Sequence, residues 1–369
     1  MKKCSNCDFA ENNDNAKFCC NCGAPLRNTT FSYTEFVDCS RLMSNNKLES
    51  IVENGCVIKP CFWDSAADFH EGLAKVKKDG MYGYIDITGN MAIPCKWQTA
   101  EDFSEGLARV TDDHNEYYID RNGNVVLEAP DDYSFDFGGF HEGLAVVEDF
   151  GKYGFIDKKG NNVIPCKWDS ATSFVDGLAS VSDEHGNYGC IDKSGRLVIP
   201  CEFDEEIVFS EGMGLTFSDD KTVYIDRTGR KAIELRCDEA SIFREGLASI
   251  SEWGFIDKDG KNVIEGKWCY GWDNGFSEGL APTEDYGYID HSGHTVIENM
   301  WESCHPFKEG LAMVEKGDKK GYIDHTGHQV IPCVWDSASY FCEGLANVRL
   351  YDKVYLINKQ GKILCNVER

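Results

Sequence analysis

Residues 142–168 read EGLAVVEDFGKYGFIDKKGNNVIPCKW, and this stretch decides the fold because it recurs along the chain. Anchored on the glycine of Glu-Gly-Leu-Ala, nine copies follow one another at separations of 31 to 37 residues. The anchors are Gly72, Gly106, Gly143, Gly177, Gly212, Gly246, Gly279, Gly310 and Gly344. So regular a period predicts a tandem repeat array rather than several unrelated domains.

Each copy contains three short runs that are typical of β-strands. They read Leu-Ala-x-Val, as at 107–110, then Tyr-Gly-Tyr-Ile-Asp, as at 82–86, then Val-Ile-Pro-Cys-x-Trp, as at 163–168. All three runs are rich in β-branched and aromatic residues, and turn residues bound them. No helical periodicity is visible inside the array, so the repeat is predicted to be an antiparallel β-meander.

A turn signal joins the second run to the third in every copy. An aspartate follows the isoleucine and a glycine comes three residues later, as in Asp157 and Gly160, and the last copy has Asn358 and Gly361. An aspartate at the first position of a type I turn accepts hydrogen bonds from the turn backbone, and glycine takes the left-handed conformation that returns the strand. This spacing therefore predicts a hairpin.

A carboxylate precedes each anchor glycine, within the motif Phe-x-Glu-Gly. Nine copies of one carboxylate invite a catalytic or a calcium-binding interpretation. Catalysis needs one site with differentiated groups, and calcium needs clustered oxygen ligands, which only Asp257-x-Asp259-Gly260 approaches. We interpret the repeated carboxylate as an acceptor of backbone N–H groups at a tight bend.

The array resembles the bacterial WG-repeat (KWG) family, whose units read Glu-Gly-Leu-Ala, Trp/Tyr-Gly-Tyr-Ile-Asp, Gly and Val-Ile-Pro. The resemblance covers roughly residues 51–365. The name-giving pair occurs once, as Trp253-Gly254, and the copies at 116–133 and 222–238 depart most, since they lack the Pro-Cys-x-Trp run. The family implies a β-rich repeat scaffold, and it brings no characterised catalytic residue.

Residues 51–369 are thus expected to form an all-β array of nine to ten repeats of about 34 residues. A partial copy at 54–61 precedes the nine complete ones. Nine or ten units exceed the usual four to eight blades of a closed β-propeller. The run at 57–63 and the run at 362–365 also carry the same strand signal at both ends. We therefore expect an open superhelical stack, with the closed propeller as the alternative.

Residues 1–27 carry a metal-binding spacing. Cys4 and Cys7 form one Cys-x-x-Cys pair, and Cys19 and Cys22 form another. Two such turns complete a tetrahedral site, which predicts one structural Zn²⁺ whose four thiolates close the coordination shell. The segment resembles the short zinc-ribbon module of many bacterial proteins; Cys20 departs from its pattern. Residues 28–50 are interpreted as a linker with one short helix, because Tyr33, Phe36 and Val37 have helical spacing.

Composition narrows the class of protein. The chain has 63 acidic and 37 basic residues and a net charge of −26, so the array is expected to repel nucleic acid and attract basic partners. No apolar run is long enough for a membrane helix, and no secretory signal is recognised, so a cytoplasmic location is expected. The cysteines that follow a proline are interpreted as buried, reduced fillers: Cys61, Cys95, Cys166, Cys201 and Cys333.

These observations predict a non-enzymatic scaffold that binds a protein partner, a basic segment for example. The residue between Ala and Val of the Leu-Ala run varies among copies, as an outward recognition column would: Lys75, Arg109, Val146, Ser180, Thr216, Ser249, Pro282, Met313 and Asn347. The alternative is a carbohydrate-binding module with stacking aromatics. Against it, Trp63, Trp97, Trp168 and Trp335 share a column with core spacing. No residue pattern sets the oligomeric state.

Overall fold

The computed structural model describes residues 32–44, 47–48, 50–53, 56–113, 115–129, 133–219, 221–237, 240–250, 254–266 and 275–368. Within them, nine antiparallel sheets follow one another along the chain, and the ninth is joined by strands from the amino-terminal part. Strands within a sheet pair in sequence order, so each repeat forms one blade. The nine blades make a closed β-propeller.

A complete blade has four strands, one more than the three runs predicted from the sequence. The first strand precedes the Glu-Gly turn, and its short, irregular run gave no alternation to detect. The first strands are Ser65–His70, Thr99–Ala100, Tyr133–His141, Ser170–Ala171, Val208–Ser210, Ser303–Cys304 and Ser337–Ala338. In the sixth blade an isolated bridge between Ala240 and Ile250 takes this place.

The remaining strands correspond to the three predicted runs. The second strands are Leu73–Lys78, Leu107–Thr111, Leu144–Asp149, Leu178–Ser182, Met213–Ser218, Ala248–Ile250, Ala281–Pro282, Ala312–Lys316 and Leu345–Leu350. The third strands are Met81–Asp86, Glu116–Asp120, Lys152–Asp157, Tyr188–Asp192, Lys221–Ile225, Gly254–Ile256, Tyr288–Ile289, Lys319–Ile323 and Lys353–Asn358. The fourth strands are Met91–Trp97, Val125–Glu128, Asn162–Trp168, Leu197–Phe203, Lys231–Leu235, Asn262–Ile264, Thr295–Ile297, Gln329–Trp335 and Lys362–Glu368.

The first strands lie nearest the axis of the ring. The Ser104 hydroxyl donates to the carbonyl of Phe140 in the next blade at 2.6 Å, and Ser210 and Ser277 make the same bond to the blades that follow them. Blades converge at the axis and diverge at the rim, so these contacts between the segments that precede the Glu-Gly turns place that side of each blade inside. The fourth strand forms the outer edge, with an alternation of exposed and buried residues.

The expectation of an open superhelical stack is wrong, because the two ends of the array build one blade together. Trp63 exchanges backbone hydrogen bonds with Val354 of the ninth blade, at 3.1 and 3.2 Å, and the Cys61 N–H donates to Leu364 at 3.0 Å. Residues 61–63 therefore continue the fourth strand beyond Leu364, and the runs at 57–63 and 362–365 belong to one blade rather than to two repeats. This shared strand closes the ring at nine blades.

Other amino-terminal elements attach to the same closing blade. Ser32–Asp38 is a strand that pairs antiparallel with Lys362–Glu368, and Cys56–Pro60 pairs with the opposite edge of that strand. The short helix is Cys39–Leu42, so Phe36 and Val37 belong to a strand rather than to the predicted helix. Met43–Ser44 pairs with Lys47–Leu48, and Ile51–Glu53 pairs with Cys56–Pro60.

The hydrophobic core lies between blades. Leu73, Tyr84 and Ile93 of the first blade pack with Phe103 and Val110 of the second, and clusters of this kind recur around the ring. The Tyr84 and Phe103 rings meet edge to face at 4.8 Å, and the Tyr84 hydroxyl donates to the Glu101 carbonyl at 2.7 Å. Neighbouring blades therefore supply the core that one blade cannot form.

The glycine of the Tyr-Gly-Tyr run is required by close approach of the fourth strand. A Cβ on Gly154 would lie 2.5 Å from the Ile164 carbonyl oxygen and 2.7 Å from the Cys166 nitrogen. Tyr153 pairs with Trp168 while Phe155 pairs with Ile164, so the Pro-Cys segment bulges over the glycine. The second and fifth blades lack both the glycine and Pro-Cys. There the pairing runs without a gap through Tyr117 and Glu128 and through Val223 and Glu234, and the register shifts only next to the turn.

Candidate functional site

The four predicted zinc ligands, Cys4, Cys7, Cys19 and Cys22, lie outside the described residues. Among the residues that the structure does describe, no group of three or more His, Cys, Asp or Glu is placed to hold a metal ion. No helix in those ranges is long and apolar enough to cross a membrane.

Eight of the nine carboxylates that precede an anchor glycine, all but Asp176, accept the N–H of the anchor glycine in the next blade. Glu142 accepts the Gly177 N–H at 3.0 and 3.1 Å, and Glu343 accepts the Gly72 N–H at 2.8 Å across the ring closure. The acceptor role predicted from the sequence is confirmed, but the donor belongs to the neighbouring blade. All nine carboxylate residues have a positive φ: Glu71, Glu105, Glu142, Asp176, Glu211, Glu245, Glu278, Glu309 and Glu343.

A column of cations that the sequence interpretation missed accompanies these carboxylates. It occupies the position after the turn aspartate, and Lys193 there bridges to Glu142 at 2.8 Å. The Lys193 hydrogen bond and the Gly177 N–H hold the pKa of Glu142 below its usual value. The column reads Ile87, Arg121, Lys158, Lys193, Arg227, Lys258, His291, His325 and Lys359, so its charge was readable in the aligned copies.

The turn aspartates lie on the same face of the ring, since the first-to-second and third-to-fourth turns share one end of the strands. Asp226 accepts the backbone N–H groups of Thr228 at 2.9 Å and of Arg230 at 3.2 Å, and the Gly229 N–H donates to its carbonyl. Hydrogen bonds from the Thr228 hydroxyl and backbone lower the pKa of Asp226 to about 2. The predicted turn chemistry is confirmed, and this turn face satisfies its carboxylates internally.

The opposite face carries the hairpin turns between second and third strands and the connections between blades. We call it the hairpin face. Its part in blades two to five is acidic, with these carboxylates on turns and connections: Asp112, Asp113, Glu148, Asp149, Asp169, Asp183, Glu184, Asp204, Glu205, Glu206 and Asp219. Lys152 pairs with Asp169 at 2.6 Å, and Lys221 pairs with Glu234 of the fourth strand. We call this region the acidic sector.

One aromatic side chain stands out within the acidic sector. Phe150, at the tip of the third-blade hairpin, is 86% exposed and has a φ of 49°. A left-handed backbone is unfavourable for an aromatic residue, and an exposed ring does not gain the free energy that burial of its apolar surface would give. Tyr351 has the same turn position in the ninth blade, with a φ of 54° and 53% exposure.

The variable column is buried, so its interpretation as an outward recognition surface is wrong. Val146, Thr216 and Arg109 are 2%, 1% and 5% exposed. Lys75 lies 3.5 Å from Glu101 and Asn347 donates to Asp68 at 3.3 Å, both toward the neighbouring blade, whereas Arg109 pairs with Glu116 of its own blade at 2.9 Å. The column therefore serves packing and local pairing inside the ring.

The tryptophan column also belongs to the core. Trp63, Trp97 and Trp335 are 6%, 5% and 0% exposed, and Trp168 is partly buried. Buried indoles offer no platform for a sugar ring, so the sequence feature behind the carbohydrate-binding alternative is used in packing.

The cysteines that follow proline lie beneath the fourth-strand bulge as free thiols. Cys166 Sγ is 3.9 Å from the Val147 carbonyl oxygen, and Cys95 Sγ is 4.0 Å from that of Val76. Burial raises the pKa of the thiols of Cys95, Cys166, Cys201 and Cys333. Their predicted slow reaction with thiol reagents stays a prediction.

Two of the cavities lined by described residues are open to solvent. One, of about 360 Å³, is lined by Arg244, Ser277, Pro306, Phe307, Lys308 and Tyr340, at the axial side of blades six to nine. The other, of about 480 Å³, lies beside the shared fourth strand of the closing blade. The residues that line either cavity include no carboxylate.

Comparison with family models matches the description "WG containing repeat" nine times. The matched residues are 53–82, 82–113, 118–153, 153–184, 188–221, 224–252, 253–284, 286–319 and 321–353. A search of curated proteins finds no match.

Solved structures that resemble this chain are distant in sequence. BamB from Moraxella catarrhalis is 12% identical with a TM-score of 0.36, over 92% of this chain and 97% of that one. The WD40 domain of SCAP from fission yeast is 8% identical with a TM-score of 0.40, over 86% and 98%. Kluyveromyces lactis Hsv2p is 8% identical with a TM-score of 0.39, over 71% and 92%. Strand pairing within the blades and the shared strand at the closing blade define the propeller.

Proposed function

The chain belongs to the WG-repeat family, and we propose that its propeller is a non-enzymatic scaffold that binds a basic protein segment at the acidic sector. Phe150 is the observation that supports this most directly. This phenyl ring is 86% exposed on a left-handed turn beside Glu148 and Asp149, so it stabilises the fold no more than a polar side chain would.

The charge distribution supports the same partner chemistry. On the turn face, carboxylates such as Glu142 are occupied by backbone N–H groups and by the cation column. In the acidic sector, Glu205 and Glu206 follow one another on an exposed connection, next to Asp204, which accepts the Asp219 N–H at 2.9 Å. Lysine or arginine side chains of a partner would find carboxylates here and an aromatic ring for cation–π contact.

The test begins with affinity capture from the native organism, followed by titration calorimetry with the captured partner. Phe150→Asn should weaken binding at least tenfold, because asparagine tolerates the left-handed backbone and removes only the ring. Tyr351→Asn, the same change at the same turn position of the ninth blade, is the matched control and should bind as the unmodified protein does. Equal affinity for Phe150→Asn, or a partner without a basic segment, would contradict the proposal.

We also propose that residues 1–27 bind one structural zinc ion through Cys4, Cys7, Cys19 and Cys22. The donor set supports this, because four thiolates in two Cys-x-x-Cys pairs suit a closed tetrahedral zinc site. Elemental analysis should find about one zinc per chain, and Cys4→Ser should lower that content. Unchanged zinc content in Cys4→Ser would reject these ligands.

A further inference from the structure

The cavity of about 480 Å³ at the closing blade exists because that blade is assembled from both ends of the array. Tyr355 stands three residues before the turn residue Asn358, where Gly154 stands relative to Asp157 in the third blade. Gly154 lies under the bulge of an uninterrupted fourth strand. In the closing blade the strand passes from Leu364 to Cys61 of the other end, and Tyr355 lines an open cavity.

Cations line this cavity although the chain carries a net charge of −26. Lys59, Lys78 and Lys353 lie in its wall, and no carboxylate does. At the position of Lys353, the third and eighth blades have Lys152 and Lys319, which pair with Asp169 and Asp336. Lys353 instead lies 4.0 Å above the Phe62 ring. Within the described ranges, no carboxylate lies within 4.0 Å of the ammonium of Lys78 or Lys353.

The rest of the cavity is apolar and aromatic. Trp63 and Tyr355 are buried, at 6% and 5% exposure, and form a fixed wall. Phe62 and Met91 are 46% and 45% exposed and border the opening. A volume of about 480 Å³ falls within the range of small-molecule sites, which are mostly apolar with a few placed polar groups.

We propose that this cavity, the seam pocket, binds a small organic anion with a planar apolar body. The acidic group would contact Lys78 and Lys353, and the flat body would lie against the exposed side chains of Phe62 and Met91, while the buried Trp63 and Tyr355 complete the wall. Aromatic carboxylates, sulfonates and phosphate monoesters share this chemistry. The inference is independent of the basic partner proposed for the acidic sector, because it concerns another part of the ring.

The probe is 8-anilinonaphthalene-1-sulfonate, a planar apolar body that carries one anionic group. Its fluorescence on titration into the full chain should show one saturable site, and the double variant Lys78→Gln, Lys353→Gln should weaken that site about tenfold. The matched control is Lys316→Gln, Lys319→Gln, which makes the same changes at the corresponding positions of the eighth blade and should leave the affinity within about twofold.

Two further probes separate the charge from the apolar body. N-phenyl-1-naphthylamine, which lacks the sulfonate, should bind more weakly and be insensitive to the double variant. Inorganic sulfate alone should compete only at much higher concentration. Equal weakening by the two double variants, or undiminished binding in Lys78→Gln, Lys353→Gln, would overturn the proposal. If that variant melts earlier than the unmodified protein, Lys353→Arg, which keeps the charge, must retain binding for the proposal to stand.

Discussion

The junction between the ninth and first blades differs from the other junctions in the ring, and the difference shows which interactions closure requires. Between the third and fourth blades, Glu142 holds both the Gly177 N–H and the Lys193 ammonium. At the closing junction Glu343 holds the Gly72 N–H at 2.8 Å, but Ile87 occupies the cation position and is 51% exposed. The backbone hydrogen bond is retained and the ion pair is not.

The packing at the core of the closing junction is also retained, although different residues form it. Leu364 contacts the turn glycine Gly89, where Ile164 contacts Gly195 at a regular junction. Cys342 Sγ lies 3.0 Å from the Phe69 carbonyl, in the place of the Ser104 hydroxyl. Packing and backbone hydrogen bonds are thus common to all junctions compared here, while surface charge pairs are added where the sequence permits.

Deletion of residues 362–369 should have the largest effect, because it removes the strand that holds both ends of the array. An open stack would lose stability unit by unit, whereas a ring loses its closure at once. We expect scattering measurements to show an expanded particle and thermal unfolding to lose its cooperativity. Deletion of residues 1–27 is the control and should leave the propeller's β-type circular dichroism intact. A stepwise, mild loss on deleting 362–369 would contradict ring closure.

Gly154→Ala should destabilise the protein by about 3 kcal/mol, because its Cβ would meet backbone atoms of the bulge, which move only with the whole strand. Gly151→Ala, on the same hairpin, has no atom within 4 Å of the added Cβ and should cost about 1 kcal/mol from its positive φ. Urea unfolding measures both values. A Gly154→Ala variant no less stable than Gly151→Ala would disprove the bulge argument.

Local chemistry along the repeat made much of this fold predictable. The Asp-x-x-Gly turns and the three long strands follow from short-range patterns, as Asp226 and its turn illustrate. Ring closure could not be predicted from such short-range patterns, because the two parts of the shared strand, at Cys61 and Leu364, lie at opposite ends of the array in the sequence. An incomplete strand signal at each end is what a closed ring with a shared blade requires, and it does not indicate two separate units.

The functional surfaces were less predictable than the fold. Variation is typical of exposed residues and so predicts a surface for the variable column, yet Thr216 and Val146 of that column are buried. One readable signal lies in the repeat itself: the copies without the Tyr-Gly glycine, the second, fifth and ninth, have no Pro-Cys in their own last run, although the sixth and seventh lack Pro-Cys alone. Such a one-way association, in which Pro-Cys occurs only with the glycine, is what direct contact between the two positions predicts. The seam pocket has no such signal, since it depends on residues from three separate segments.

Acid should weaken the regular junctions through their carboxylates. Burial raises the pKa of Glu105, but the Lys158 hydrogen bond and the Gly143 N–H lower it by more and hold it below its ordinary value of 4.5. The Lys193 hydrogen bond lowers the pKa of Glu142. A lowered folded-state pKa contributes stability above the ordinary pKa, and that stability is lost as pH falls through the folded value. The free energy of unfolding should therefore decrease as pH falls below about 4.5.

Glu142→Gln isolates this titration, because glutamine keeps an acceptor for the Gly177 N–H but carries no charge. The variant should be less stable than the unmodified protein above pH 4.5, by at most about 1 kcal/mol since the pair is partly exposed. The difference should narrow as pH falls and Glu142 becomes protonated. A difference that stays constant from pH 7 to pH 2.5 would show that the charge does not stabilise the junction.

Ile87→Lys should give the smallest change in stability, and it should supply the ion pair that the closing junction lacks. The lysine would stand beside Glu343 as Lys193 stands beside Glu142 at 2.8 Å, and it would replace an apolar side chain that is 51% exposed. An exposed ion pair contributes about 0.5 kcal/mol, so the unfolding midpoint should rise slightly at low salt and return toward that of the unmodified protein as salt rises. The gain should vanish in the Glu343→Gln background, where the added lysine has no carboxylate to pair with. Stabilisation that persists in that background would mean that removing the exposed isoleucine, and not the ion pair, produced the effect.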